Sequence, residues 1–195
     1  MSKKIKRIKE NVTTKEYKKL MNFVNDSQSM RENSKQNLLR AFTILFYTGL
    51  RVNELQALTI GDIKELINNR SVKLELDKTS TERKLYLSND FEKELLNIFD
   101  LDEESENRVI AKGANKNKRT SIHPITFIAQ INKVMKEALG DGFTSHSFRQ
   151  GLISEMASKS VNVKIISQFI GHSDVKTTLH YVKPTDNDIE NALVR

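Results

Sequence analysis

The sequence predicts a mainly α fold carrying a small antiparallel β hairpin or three-stranded sheet. Apolar residues recur at helical spacings of three, four and seven over several segments, whereas 71–77 and 83–88 alternate apolar with polar. With 7 glycines and 2 prolines in 195 residues, little of the chain is set aside for irregular structure.

Taken in order, residues 1–12 are basic, polar and aperiodic, the pattern of a tail or the end of an interdomain linker. Thr13 with Glu16 makes a capping box, and Tyr17, Leu20, Met21 and Val24 supply the apolar stripe of a helix ending near Asn25. Leu38 to Tyr47 is almost continuously apolar and too long for a strand, so it reads as the central buried helix. Thr48-Gly49 stops it, because glycine takes the left-handed cap conformation without penalty. A short helix from Val52 to Leu58 comes next. Ser71–Asp77 and Arg83–Ser88 are the strands of a hairpin whose polar turn, Lys78 to Glu82, carries Lys78 at its edge.

Asn89 or Asp90 caps a helix through Phe99. Residues 100–120 form the longest polar stretch, with room for a short strand around Arg108–Ala111. Pro124 suits the first turn of a helix, with Ile128, Ile131, Val134, Met135 and Leu139 as its buried face and Gly140 and Gly142 as its end. Helices over His146–Ser158, Asn162–Ile170 and Ser173–Val182 follow, the last capped by Ser173 with Asp174 in its first turn. Asp186–Arg195 reads as a C-terminal helix or docking tail.

Composition narrows the chemistry. With no cysteine, disulfides, thiol nucleophiles and thiolate zinc sites are excluded, and a reducing cytoplasm is compatible. No apolar run approaches the ~20 residues of a membrane span, and no signal-peptide core follows the charged N-terminus. The net charge of +7 is uneven. Residues 1–19 hold eight Lys/Arg, including Lys3, Lys4, Lys6 and Arg7, against Glu10 and Glu16, while 90–107 hold eight acids that read as a solvated helix and loop. A second basic cluster comprises Lys112, Lys116, Lys118 and Arg119. Such patches neutralise phosphates and release counterions, a sequence-independent route to nucleic-acid binding.

A few residues carry chemistry beyond charge. Arg51 follows the central helix directly, with Glu54 one helical turn on where it orients the guanidinium. His146 and Arg149 are three apart and share a helix face; a guanidinium presents forked donors that match two phosphate oxygens. His172 follows Gly171 in a tight interhelix turn, and Tyr181 lies in the third turn of the last predicted helix. Taken singly, each has a plain reading: a surface arginine, a salt-bridging pair, a cap, a core aromatic, a solvated lysine at 78. A phosphate-binding arginine, two imidazoles and a phenol in succession, with no metal-ligand set, suit attack by tyrosine on a phosphodiester.

In this order and spacing the chain resembles the catalytic domain of tyrosine recombinases, the phage integrase family. The matching pieces are Thr48-Gly49-Leu50-Arg51-Val52-Asn53-Glu54-Leu55, Lys78-Thr79, His146-Ser147-Phe148-Arg149, Ile170-Gly171-His172-Ser173 and Thr177-Thr178-Leu179-His180-Tyr181, spanning about residues 13–182. The resemblance implies site-specific DNA recombination, with strands cleaved and rejoined through a 3′-phosphotyrosyl intermediate, and needing no metal, nucleotide or other cofactor. Tyr181 would be the nucleophile and Arg51 and Arg149 the clamp on the non-bridging oxygens. Lys78 would be the general acid for the leaving 5′-oxygen, His146 a base or hydrogen-bond partner, His172 a phosphate donor and Glu54 a buttress. It implies double-stranded DNA as partner, a homo-tetramer on DNA with a monomer allowed in isolation, and a cytoplasmic, nucleoid-associated protein. The expected organisation is a tail or linker over 1–12, a catalytic domain over 13–185, and a C-terminal tail over 186–195 that docks on a neighbouring copy.

Two departures stand out. Gln150 follows Arg149 where many members have histidine, and nothing before residue 13 matches the helical core-binding domain of full-length integrases. The expectation is therefore either a catalytic piece or a short recombinase of the fimbrial phase-switch kind. Three other readings compete. Val161–Val182 fits a helix-turn-helix DNA binder without catalysis, though its second helix is poor in base-reading side chains. A type IB topoisomerase shares the chemistry. A metal-dependent nuclease would need clustered carboxylates.

Overall fold

The computed structural model describes residues 10–74, 83–113, 118–172, 174–179, 190 and 193. Among them the order is α1 (Thr14–Asp26), α2 (Glu32–Thr48), α3 (Val52–Ala57), α4 (Ile60–Asn69), β1 (Ser71–Leu74), β2 (Arg83–Tyr86), α5 (Asn89–Ile98), α6 (Pro124–Leu139), α7 (His146–Ser158), α8 (Val163–Ile170) and α9 (Val175–Leu179). The chain divides into two compact units, Met1–Leu152 and Ile153–Arg195.

The first unit is built around α2. Leu38, Ala41, Phe42, Ile44 and Leu45 are fully buried, and the helix packs on both α1 and α5. The α1 start is the predicted capping box: the Thr13 N–H donates to Glu16 Oε2 at 3.1 Å and the Thr13 hydroxyl accepts the Lys15 N–H at 3.3 Å. Tyr17, Leu20 and Val24 face inward, and the Tyr17 ring stacks on Phe46 with centroids 4.4 Å apart. Gly49 ends α2 at φ 58, a left-handed conformation that costs glycine nothing, and its N–H donates to Leu45 O at 2.9 Å.

Several elements differ from expectation. The helix α4 was not predicted, although Thr59 and Asp62 cap each other across three residues, at 2.8 and 3.2 Å, and Ile60, Ile63 and Leu66 are buried. The sheet has two strands among the described residues, paired antiparallel with Val72 opposite Leu85 and Leu74 opposite Arg83; the turn at 78–82 lies outside them. No third strand forms at Arg108–Ala111. That segment divides its hydrogen bonds between two neighbours, Arg108 N–H to Lys118 O at 2.7 Å and Val109 N–H to Leu58 O at 3.0 Å, so only isolated bridges result, to Thr59 and Ser121. The cap of α5 is Ser88, whose Oγ accepts the Phe91 N–H at 3.2 Å, while Asn89 is occupied by Arg70 at 2.8 Å.

Two charged groups lie deeper than their sequence context implies. Arg40, inside the apolar run, is 3 % exposed and pairs with Glu103, with its guanidinium 4.5 Å from the Phe99 ring centroid. Glu103 is therefore not part of a solvated acidic loop; its side chain is 8 % exposed and also meets Lys118 at 3.2 Å. On α6 the inward face is Phe127, Ile131, Val134, Met135 and Ala138, with Ile128 and Leu139 only partly buried.

The last residues of the predicted tail are already packed against the domain. Val12 is a core residue, its N–H donating to Ser147 O at 3.1 Å, and Glu10 N–H donates to Gly142 O at 3.2 Å. The Val12 backbone lies so close to α7 that a Cβ at Gly151 would fall inside the contact distance of its carbonyl oxygen, and 3.1 Å from its carbonyl carbon.

In the second unit, Ile153, Ile166, Ile170 and Thr178 are buried. Asn162 caps α8, accepting the Lys164 N–H at 2.8 Å. Asp174 precedes α9 and accepts the Lys176 N–H at 2.9 Å; the predicted Ser173 cap and the helix end at Val182 lie outside the described residues. Of 186–195, Glu190 and Leu193 are described, both helical and exposed. Among the described residues no helix is long and apolar enough to cross a membrane.

Candidate active site

The site grows from the turn that joins α2 to α3. Thr48 closes α2 with its hydroxyl, which donates to Ile44 O at 2.5 Å and accepts the Leu50 N–H at 3.2 Å. Arg51 is then the N-cap residue of α3, and Glu54 folds back to accept its backbone N–H at 2.8 Å. The same carboxylate holds the side chain, with Arg51 Nη1 2.7 Å from Glu54 Oε1. Glu54 therefore holds both the backbone and the side chain of Arg51. Yet the Arg51 side chain is 47 % exposed, and an ion pair this open is worth only ~0–1 kcal/mol. Its guanidinium is held and remains reachable.

The sequence reading missed the third member of this group. Arg83, on β2, is 4 % exposed; its Nη1 lies 2.6 Å from Glu54 Oε2 and its Nη2 donates to Thr48 O at 2.7 Å. A signal for it existed. Arg83 shares strand parity with Leu85 and Leu87, both buried, so the alternation already put a charge on the inward face. Burial pushes the Glu54 carboxyl up, but the Arg51 N–H and the two guanidiniums outweigh burial, and the carboxyl titrates below its ordinary value.

Arg149 comes to the same turn from α7. It is buried, and its Nη1 donates to Gly49 O at 2.8 Å, two residues before Arg51. The fold therefore gathers Arg51, Glu54 and Arg149 from elements nearly a hundred residues apart. His146 lies one helical turn before Arg149 on α7 and is exposed.

His172 belongs to the second unit. It is half-buried in the turn after α8, where its Nδ1 is 2.8 Å from Thr178 Oγ1 and its N–H donates to Ser167 O at 2.9 Å. The Thr178 hydroxyl thereby orients the ring through Nδ1. Lys78, Tyr181, Lys3, Lys4, Lys6, Arg7 and Lys116 lie outside the described residues. Of the remaining cluster, Lys112 is exposed, whereas Lys118 faces Glu103 and Arg119 faces Glu104 at 3.7 Å.

Two arginines are thus fixed at one turn of a mainly helical domain. Residues 10–188 match the phage integrase family, and the chain belongs to that family. Curated relatives include a tyrosine recombinase of Thermosipho africanus (strain TCF52B), 25% identical over 184 residues that cover 94% of this chain and 60% of the relative. Tyrosine recombinase XerC of Treponema denticola is 27% identical over 165 residues, covering 77% of this chain and 52% of the relative. The chain thus spans little more than half the length of these proteins. Among solved structures, the Tn1549 transposon integrase in complex with circular intermediate DNA has a TM-score of 0.72 at 18% identity, covering 98% of this chain and 67% of that one. The catalytic domain of bacteriophage HP1 integrase has a TM-score of 0.58 at 15% identity, covering 95% of this chain and 94% of that one. The shared fold is that of tyrosine recombinase catalytic domains.

Proposed function

We propose that this chain is the strand-cleaving domain of a site-specific DNA recombinase, acting through a 3′-phosphotyrosyl intermediate on Tyr181. The observation that carries the reading is the convergence of Arg51 and Arg149 on the Thr48–Arg51 turn, one braced by Glu54 and the other by Gly49 O. Relatives named tyrosine recombinases, and structural neighbours solved with DNA, support it.

The chemistry follows from what a phosphodiester requires. A free tyrosine ionises near ~10, so attack at neutral pH needs a proton acceptor and concentrated positive charge. The Tyr181 oxygen forms a bond to phosphorus as the bond from phosphorus to the 5′-oxygen breaks. The phenolic proton passes to His146 or water, and the leaving oxygen takes a proton from Lys78. Arg51 and Arg149 stabilise the charge that builds on the non-bridging oxygens, and His172 adds a donor. One phosphoester replaces another, so a 5′-hydroxyl attacking the phosphotyrosine reverses the step without nucleotide or metal.

Lys112, with the basic residues before Glu10, would track the duplex backbone. Recombination exchanges strands between duplexes, so the working assembly is a tetramer on DNA, with residues 186–195 docking on a neighbouring copy.

A nicked suicide duplex tests this. Wild-type protein, in excess chelator and without nucleotide, should trap a denaturation-resistant protein–DNA adduct, and Tyr181→Phe should bind the duplex without trapping it. An adduct that survives Tyr181→Phe, or a wild type that binds DNA and never forms one, would overturn the proposal; the second result would favour a helical DNA binder.

A further inference from the structure

We infer that Arg83 is a positioning residue for strand cleavage: it cancels the charge of Glu54, so that Glu54 can brace Arg51 without neutralising it toward the phosphate. This rests on the strand-cleavage reading above and assigns a role to a side chain that does not touch DNA.

The argument starts from a conflict. Arg51 is half exposed and attached to a long flexible stem, so its guanidinium needs a partner to hold it. The partner is a carboxylate, and a carboxylate 2.7 Å away offsets the positive charge for which Arg51 is needed. Arg51 and Glu54 alone form a neutral pair, a poor receptor for a phosphodiester. With Arg83 added, the three side chains carry one net positive charge. Geometry decides where that charge is expressed. Arg83 is 3 % exposed at its side chain and turned inward to Glu54 and Thr48 O, whereas Arg51 faces solvent. The excess charge is therefore presented at Arg51.

The two oxygens of Glu54 divide the work. Oε1 takes Arg51 Nη1, and Oε2 takes Arg83 Nη1 at 2.6 Å together with the Arg51 backbone N–H at 2.8 Å. Both bonds on Oε2 lie at the α3 start, so Arg83 also fixes the plane of the carboxylate that orients Arg51. Its second nitrogen ties the arrangement to the last carbonyl of α2, the element that also delivers Gly49 O to Arg149. Lysine keeps the charge but lacks the fork to reach both acceptors; methionine keeps much of the volume and loses both.

Single-turnover adduct formation on the nicked duplex, at saturating DNA and below the melting range of each variant, provides the test. Arg83→Met should lower the rate by ~10²-fold, in the range seen when one donor to a developing charge is lost. Arg83→Lys should recover most of that loss although it melts lower than wild type. Adding Glu54→Gln to Arg83→Met should raise the rate above that of Arg83→Met alone, since it removes the uncancelled carboxylate. A purely structural Arg83 predicts the opposite order, with activity following melting temperature and Lys no better than Met at equal folded fraction. Should Arg83→Met not fold, Arg83→Lys decides: a folded Lys variant as slow as a Tyr181→Phe control overturns the inference. A wild type that forms no adduct overturns the strand-cleavage reading and this inference with it. A wild type matched by Arg83→Met overturns this inference alone.

Discussion

Replacing Gly151 by alanine should destabilise the protein, although helix propensity argues the reverse. In a helix interior alanine is favoured over glycine by about 1 kcal/mol, and Gly151 lies in the middle of α7. The obstacle is the backbone of Val12, whose carbonyl carbon and nitrogen would sit 3.1 and 3.2 Å from the new Cβ, with the carbonyl oxygen closer still. Val12 cannot step aside cheaply. Its N–H is bonded to Ser147 O at 3.1 Å and its side chain is 2 % exposed, so undocking it forfeits a hydrogen bond of about 1 kcal/mol and about 2 kcal/mol of burial. Accommodating the methyl in place costs about 1–3 kcal/mol of overpacking. Subtracting the propensity gain leaves a loss of up to about 2 kcal/mol, or as much as roughly 8 °C in Tm for a chain of this size. Urea denaturation followed by far-UV circular dichroism measures it. The diagnostic partner is a chain lacking residues 1–12, in which the obstacle is gone and Gly151→Ala should stabilise. Stabilisation by Gly151→Ala in the full chain would refute the reasoning, as would the same sign of effect in both backgrounds.

Two further substitutions probe the charged interior. Glu54→Gln leaves the Arg83 guanidinium buried without its carboxylate and should cost about 3–5 kcal/mol by denaturant titration. Because the folded Glu54 carboxyl is depressed, its contribution is present above the unfolded value of about 4.3 and lost as pH falls through the lower folded one, so wild type and Glu54→Gln should converge in stability only in acid. Tyr17→Phe keeps the ring stack on Phe46 but removes the hydroxyl bond to Thr43 at 2.9 Å, a loss of about 1 kcal/mol. Burial, with Glu94 nearby, raises the Tyr17 phenol above its ordinary value. Its stabilisation is therefore complete below pH ~10 and lost as pH climbs toward the folded value, and Tyr17→Phe should flatten that alkaline loss in melting curves taken from pH 8 upward.

Local signals were legible where the physics is local. The Thr13–Glu16 box, the Gly49 stop, the inward alternation of Val72, Leu74 and Leu85, and the His146–Ser158 helix all depend on neighbours within a few residues, and the structure has them. The helix α4 rests on equally local signals, the Thr59–Asp62 cap and the Ile60, Ile63 and Leu66 stripe. Ser88 displaced Asn89 as cap for a different reason: a side chain 19 residues away, Arg70, had already taken the Asn89 oxygen.

What the chain alone determined was therefore its periodicities, its caps, and the set of residue types that mark the phage integrase family. What tertiary structure decided was which charges are buried and with whom. Arg40 and Arg83 look like ordinary basic residues until Glu103 and Glu54 arrive from 63 and 29 positions away, and Gly151 looks like a weak point in a helix until the Val12 backbone lies against it. Hydrogen bonds and desolvation act over a few ångströms of space, and only the folded chain brings those partners within that range.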